Sequence, residues 1–153
     1  MYQRILVPVD DSDTSRQALV EATRFCCEQH GRTRLVHVID LAQFTWGGAE
    51  FVDVGELQGN LREAGRKVLE SAAGLMRDNG VEAETALLEI WGGSISTALI
   101  EDAQDWPADI IVMGSHGWTG LDHLLLGSVA EGVVRHAPVP VLIFPIKREK
   151  QKK

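Results

Sequence analysis

The chain has 153 residues, of which 44% are hydrophobic and 24% are charged, and its formal net charge is −7 at pH 7. This length fits one domain with a substantial core, and the composition excludes disorder, collagen and coiled coil. The negative charge disfavours nucleic acid as a partner, because phosphates select basic surfaces. No segment reaches the roughly 20 apolar residues of a membrane-spanning helix. We therefore expect a soluble, cytoplasmic protein without membrane insertion.

Strand-like and helix-like segments alternate along the first half of the chain. The apolar run from Arg4 to Val9 is followed by capping residues and by a helical pattern that ends before Gly31. A second strand is predicted from Arg34 to Ile39. After a glycine-containing loop, a long helix is predicted from Leu57 to Asn79.

The second half of the chain repeats this alternation. Strands that alternate with helices of this length predict right-handed crossovers and a parallel sheet covered on both faces. The predicted fold is therefore a doubly wound α/β domain with five strands, over residues 1–146, followed by a basic tail at 147–153. The remaining predicted elements are a strand at Glu82 to Glu89, a helix at Ile95 to Gln104, a strand at Asp109 to Met113, a helix at Ser128 to His136 and a strand at Val139 to Ile146.

Two adjacent cysteines, Cys26 and Cys27, lie within the first predicted helix. Their number excludes a disulfide framework, and the ligand spacing of a metal site is absent. We expect both to be buried helix residues in a reducing compartment.

A glycine loop follows the fourth predicted strand as Met113-Gly114-Ser115-His116-Gly117, and Gly127-Ser128 precedes the next helix. Glycine leaves no Cβ between the backbone and a ligand, and the N–H groups at a helix start attract anions. The pattern therefore predicts a nucleotide site, although turn glycines with Ser128 as an ordinary N-cap are an alternative. No Walker-type motif occurs, and no lysine lies between Gly114 and Gly127. Both absences favour holding a nucleotide over consuming it.

An acidic pair, Asp10-Asp11, follows the first predicted strand. Ligands bind at the carboxyl ends of such sheets where the strand order reverses, so this pair and the glycine loop should line one crevice. Helix capping is a more plausible role for Ser12 or Asp13 than for Asp10, which is still at the strand tip.

Two enzyme classes are disfavoured by the residues present. A receiver domain also holds Mg²⁺ through paired acids, but the third strand here ends near Glu89 without the aspartate that accepts a phosphoryl group. A serine hydrolase lacks its Gly-x-Ser-x-Gly motif and a third orienting group. We predict no catalytic and no metal-ligating residue.

These residues resemble the universal stress protein family, in its nucleotide-binding branch. The strands Ile5 to Asp10, His37 to Asp40 and Ile110 to Gly114 look like those of the family. The spacing Gly114-x-x-Gly117, nine residues, then Gly127-Ser128 matches the family's ATP motif in every defined position. The similarity runs over nearly the whole chain.

The resemblance implies a Rossmann-like sheet of the adenine nucleotide alpha hydrolase type, with strand order 3-2-1-4-5. It implies ATP, or else ADP or AMP, between the ends of the first and fourth strands, with Mg²⁺ held through the phosphates and with slow hydrolysis or self-phosphorylation at most. It also implies a homodimer through the apolar edge strand Val139 to Phe144. The implied contacts are Pro8, Val9, Asp10 and Val38 around the adenosine, Met113, Gly114, His116 and Gly117 along the ribose and phosphates, and Gly127, Ser128 and Val129 at the phosphate tail.

Two departures from the family pattern stand out. Asp11 replaces a common glycine and adds negative charge near a polyphosphate, and Phe44 to Phe51 is unlike the family's loop. We interpret that loop as one that folds its aromatics onto the sheet, with a lid or a partner surface as alternatives.

Two other functions of the protein stay open. One is an ATP- or AMP-dependent enzyme in which Asp10 and Asp11 hold Mg²⁺ and an acceptor enters near Trp46 or Trp91. The other is a regulatory subunit that docks on a transporter or another enzyme.

Overall fold

The computed structural model describes residues 1–44, 53–115 and 126–145, in which strands and helices alternate. The predicted basic tail and most of the predicted aromatic loop, residues 45–51, lie outside the described residues. Within the described part, none of the helices combines the length and the apolar character needed to span a membrane. The elements are β1 (Arg4–Pro8), α1 (Asp13–Gln29), β2 (Arg32–Asp40), a short 3-10 helix (Leu41–Phe44), α2 (Val54–Asp78), β3 (Ala83–Ile90), α3 (Ile95–Asp105), β4 (Ile110–Gly114), α4 (Ser128–His136) and β5 (Val141–Phe144).

The five strands form one sheet in the order β3-β2-β1-β4-β5, and every neighbouring pair is parallel. The chain first builds outward from β1 to β3 and then returns to add β4 and β5 on the other side of β1. This reversal separates the connections that leave β1 and β4, and it opens a crevice between their carboxyl ends. The predicted doubly wound fold and its strand order are confirmed.

Alternate residues of the central strands are buried on opposite faces of the sheet. Ile5 and Val7 of β1 belong to a core cluster with Met76 of α2, whereas Leu6 packs in a second cluster with Leu99 of α3 and Val133 of α4. A strand covered on both faces needs apolar residues at every position, which is why β1 and β4 are continuous apolar runs. The carboxyl ends of these buried strands are thereby set between the two cores.

The starts of the helices differ in one respect that bears on the site. Ser12, Asp53 and Ser94 cap α1, α2 and α3, and each side chain accepts a hydrogen bond from the backbone N–H three residues later. The N-cap of α4 is Gly127, which has no side chain to make such a bond. The alternative that Ser128 is an ordinary N-cap is therefore wrong, because Ser128 is already the first helical residue.

Strand boundaries depart from the predictions where pairing sets them. β5 runs from Val141 to Phe144 and not from Val139 to Ile146, because its register with β4 covers only those residues. Pro140 lacks the N–H that a ladder would need. β2 begins at Arg32, two residues earlier than predicted, because Arg32 pairs with Arg4 of β1.

The end of α1 confirms that the helix stops before Gly31 and corrects the prediction that both cysteines are buried. His30 is the C-cap and has a left-handed backbone, with φ of 55°. Gly31 is required for packing, since a Cβ there would lie 2.6 Å from the carbonyl oxygen of Tyr2. Cys26 is buried as predicted, but Cys27 is exposed. Consecutive helical positions differ by about 100° in direction, so two adjacent residues rarely share one buried face.

Candidate functional site

A crevice lies at the carboxyl ends of β1 and β4, where the strand order reverses. Its empty volume is about 550 Å³ when the space open to solvent is included. Two of the residues predicted from the sequence, His116 and Gly117, lie outside the described residues. The other predicted site residues all line this crevice: Pro8, Val9, Asp10, Val38, Met113, Gly114, Gly127, Ser128 and Val129.

Several further residues line the crevice that sequence reasoning missed. Periodicity could have found two of them. Val36 lies two positions before Val38 on the same face of β2, and Leu99 lies one helical turn after Ile95 in α3. Ser15 carried no such signal, because its place depends on how α1 packs. The residues missed are Ser15, Val36, Ile95, Leu99, Ser115 and Ala130.

The tip of β1 forms one wall of the crevice and is held by hydrogen bonds from two neighbouring elements. The N–H of Val9 donates to the carbonyl of Val36 at 2.8 Å. The carbonyl of Val9 lies 2.8 Å from Nδ1 of His37, and the N–H of Asp10 donates to Oγ of Ser15 at 3.1 Å. The chain is therefore fixed beyond the last strand residue of β1.

Ser12 is the N-cap of α1, in line with the prediction that capping is more plausible for Ser12 than for Asp10, and the carboxylate of Asp10 holds Ser12 in place. Its Oδ1 accepts hydrogen bonds from the N–H of Ser12 at 2.8 Å and from the Ser12 hydroxyl at 2.5 Å. The Ser12 hydroxyl in turn accepts from the N–H of Ser15 at 3.1 Å. Asp10 is half-buried, and this network orients its side chain at the edge of the crevice.

Asp11 departs from the prediction that both acids line one crevice with the glycine loop. It is exposed and lines two neighbouring depressions on the α2 side, because the chain turns away from β4 to enter α1. Across residues 1–44, 53–115 and 126–145, no three His, Cys, Asp or Glu side chains come together as a set that could hold a metal ion.

The start of α4 forms the opposite wall. The first N–H groups of a helix have no partner within the helix, and Gly127 supplies no side chain to accept from them. Among the described residues no side chain caps this helix, so the N–H groups of Ser128, Val129 and Ala130 are available to a ligand there, and all three residues line the crevice. The helix dipole adds partial positive charge at the same end.

The end of β4 and the start of α4 are joined directly. The N–H of Gly127 donates to the carbonyl of Ser115 at 2.8 Å, and the N–H of Ser115 donates to the carbonyl of Phe144 at 3.1 Å. Ser115 is buried. This chain of bonds connects the start of α4 to the ends of β4 and β5.

The charge of the crevice comes from its backbone more than from its side chains. Neither lysine nor arginine occurs among the described residues that line it. Positive potential therefore arises from the start of α4, and the Asp10 carboxylate supplies negative charge at the other end. Apolar side chains of Val38, Leu99 and Met113 line the same crevice. The arrangement suits a ligand with an anionic end, an apolar part and a hydrogen-bond donor.

Comparison with known proteins decides the family. The model of the universal stress protein family matches residues 1–145. The chain belongs to this family. Universal stress protein MJ0531 from Methanocaldococcus jannaschii is 35% identical over an alignment of 153 positions, which covers 99% of this chain and 85% of the relative. Universal stress protein MJ0577 from the same organism is 31% identical over an alignment of 164 positions, which covers 97% of this chain and 97% of the relative.

Solved structures of universal stress proteins agree in fold. The structure of MJ0577 matches with a TM-score of 0.78 and 32% identity and covers 99% of both chains. A universal stress protein from Archaeoglobus fulgidus, in complex with dAMP, matches with a TM-score of 0.66 and 26% identity and covers 95% of this chain and 98% of its own. The resemblance on which the sequence predictions drew is confirmed.

Proposed function

We propose that this universal stress protein binds an adenine nucleotide, with ATP as the first candidate and ADP or AMP as the others, in the crevice between β1 and β4. The observation that carries the proposal is the uncapped start of α4 across one crevice from the fixed tip of β1. Backbone N–H groups at a helix start are a general phosphate site. The dAMP complex of the relative from Archaeoglobus fulgidus supports an adenine nucleotide.

The chemistry of the two walls favours one orientation of the nucleotide. The phosphates lie at Gly127, Ser128 and Val129, where the helix dipole favours negative charge. The adenosine lies at the β1 tip, where Asp10 can accept a hydrogen bond from an amine and Val38 offers an apolar contact. Contacts from Met113, Gly114, His116 and Gly117 to the ribose and phosphates follow from the family resemblance. Mg²⁺ bound through the phosphates would supply charge compensation, because the described residues that line the crevice include no lysine.

The same features favour binding over rapid turnover. Fast phosphoryl transfer uses a fixed lysine or an arginine finger and a group that orients the nucleophile, and the described lining residues include no lysine or arginine. We therefore propose a regulatory stress-response module with slow hydrolysis or self-phosphorylation at most. The enzyme alternative receives little support, because one Asp10 oxygen already accepts from Ser12 and Asp11 lies outside the crevice.

A homodimer through Val139 to Phe144 completes the proposal. β5 is an edge strand of the sheet, and its four residues are half-buried apolar side chains. An unpaired apolar edge is prone to pair with another strand, and a second copy of this chain would cover it. Sedimentation velocity at micromolar concentration tests this directly. A monomer at every concentration would contradict it.

Ligand identification tests the binding proposal. Native protein is purified without added nucleotide, and mass spectrometry identifies the ligand that it releases. Calorimetry then compares ATP, ADP and AMP with and without Mg²⁺, on the wild type and on a variant with Gly114 and Gly117 both replaced by valine. The variant should retain its circular dichroism spectrum and lose binding. Unchanged ATP affinity would show that the site is wrong, and rapid turnover with a small acceptor would favour the enzyme alternative.

A further inference from the structure

A buried histidine lies beside the tip of β1 without any part in the proposed ligand contacts. His37 in β2 is 7% exposed, and its Nδ1 lies 2.8 Å from the carbonyl oxygen of Val9. A carbonyl oxygen can only accept, so Nδ1 carries the proton and donates it. The alternation of side chains along a strand places His37 on the face opposite to Val36 and Val38, which line the crevice. His37 therefore contacts Val9 from the face of the sheet opposite to the crevice.

The peptide that joins Val9 to Asp10 is held at both ends by side chains. β1 ends at Pro8, so this peptide lies beyond the strand. His37 from β2 donates to its carbonyl, and Ser15 from α1 accepts from its N–H at 3.1 Å. A peptide group is planar, so two such bonds determine the direction in which Asp10 leaves the strand.

We propose that His37 is a positioning residue for the adenosine end of the crevice, which it serves by fixing the Val9-Asp10 peptide. The inference rests on the proposed function, because it assigns that peptide to nucleotide binding. His37 touches the β1 tip and not the ligand.

The packing of α2 holds the imidazole in this position. A Cβ added at Gly65 would lie 3.2 Å from Cδ2 of His37 and 2.7 Å from Cδ1 of Leu87. Only glycine lets the helix backbone approach β2 and β3 so closely. The ring is therefore confined between α2 and the β1 tip, and its Nδ1–H is directed by packing and by the hydrogen bond together.

Three variants test this inference. His37→Leu removes the donor, His37→Asn places an amide NH₂ near the position of Nδ1, and His37→Gln places it near the position of Nε2. We expect His37→Leu to weaken ATP binding about tenfold, as loss of one hydrogen bond to a buried carbonyl predicts. His37→Asn should restore the affinity to within about threefold of wild type, and His37→Gln should not.

A second readout needs no nucleotide. Amide hydrogen exchange followed by NMR should show faster exchange of the Asp10 N–H in His37→Leu by about tenfold or more. Leu6 and Val7 in the same strand should keep their protection, and His37→Asn should return Asp10 toward the wild-type rate. A purely structural role would accelerate exchange throughout β1 and would not separate the Asn variant from the Gln variant.

The possible outcomes separate the two proposals. If the wild type binds no adenine nucleotide, the proposed function fails, and Asp10 exchange alone decides whether His37 positions the peptide. If His37→Leu does not fold, the comparison of His37→Asn with His37→Gln decides. Equal behaviour of those two variants, or unchanged Asp10 exchange in His37→Leu, overturns the inference.

Discussion

Replacing Gly127 with aspartate should stabilise the protein and weaken its binding of ATP. Gly127 caps α4 with φ of −60° and ψ of 156°, a backbone conformation that aspartate adopts at helix starts without strain. The new carboxylate would accept a hydrogen bond from the N–H of Val129 or Ala130, the second and third helical residues. These are the groups proposed to bind phosphate, so capping and ligand binding compete for them.

The gain in stability and the loss of ATP affinity both follow from the new side chain at the N-cap. Aspartate in place of glycine contributes a few tenths of a kcal/mol as a cap, about 0.3–1 kcal/mol from its charge at the positive helix end, and about 0.4–1 kcal/mol from reduced freedom of the unfolded chain. The free energy of unfolding should therefore rise by about 1–2 kcal/mol. A carboxylate about 4 Å from a phosphate repels it by up to about 4 kcal/mol near a protein surface. We expect ATP affinity to fall about a hundredfold or more.

Gly127→Asn is the matched control, because asparagine caps a helix without adding charge. Urea unfolding without nucleotide measures stability, and calorimetry measures the Kd for ATP in all three proteins. Stability should rise from wild type to the Asn variant to the Asp variant, while affinity falls in the same order. If the Asp variant binds ATP as tightly as the wild type, the start of α4 does not hold the phosphates and the reasoning about the crevice fails.

Two further predictions concern the packing around α1 and α2. Gly65→Ala should lower the free energy of unfolding by about 1–3 kcal/mol, because its Cβ would lie 2.7 Å from Cδ1 of Leu87. Gly74→Ala in the same helix has no atom within 4 Å of its added Cβ and should raise the free energy of unfolding by about 0.5–1 kcal/mol. Urea unfolding measures both variants, and equal effects would contradict the close packing at Gly65. A thiol reagent at mildly alkaline pH should label Cys27 in the native protein and leave Cys26 unlabelled until unfolding, because burial raises the pKa of the Cys26 thiol. Equal labelling rates, followed by mass spectrometry, would refute this.

The types of the elements were predictable because they depend on local patterns. Apolar runs and helical spacing reflect which faces are buried, and α4 occupies Ser128 to His136 as predicted. Ends that depend on another strand were not predictable. The pairing of Arg32 with Arg4 sets the start of β2, and the register with β4 sets both ends of β5. Those partners are far away in the sequence, and no local pattern identifies them.

The sequence by itself determined the chemistry of the candidate site: an acid at the end of the first strand, glycines before a helix start, and no lysine between Gly114 and Gly127. These features are local, since backbone freedom and helix dipoles depend on a few neighbouring residues. Only the tertiary structure decided how the crevice is held. The bond from His37 to the carbonyl of Val9 spans 28 residues, and it forms because β1 and β2 pair and α2 packs over them. A hydrogen bond between distant residues depends on packing geometry, which becomes visible only in the folded chain.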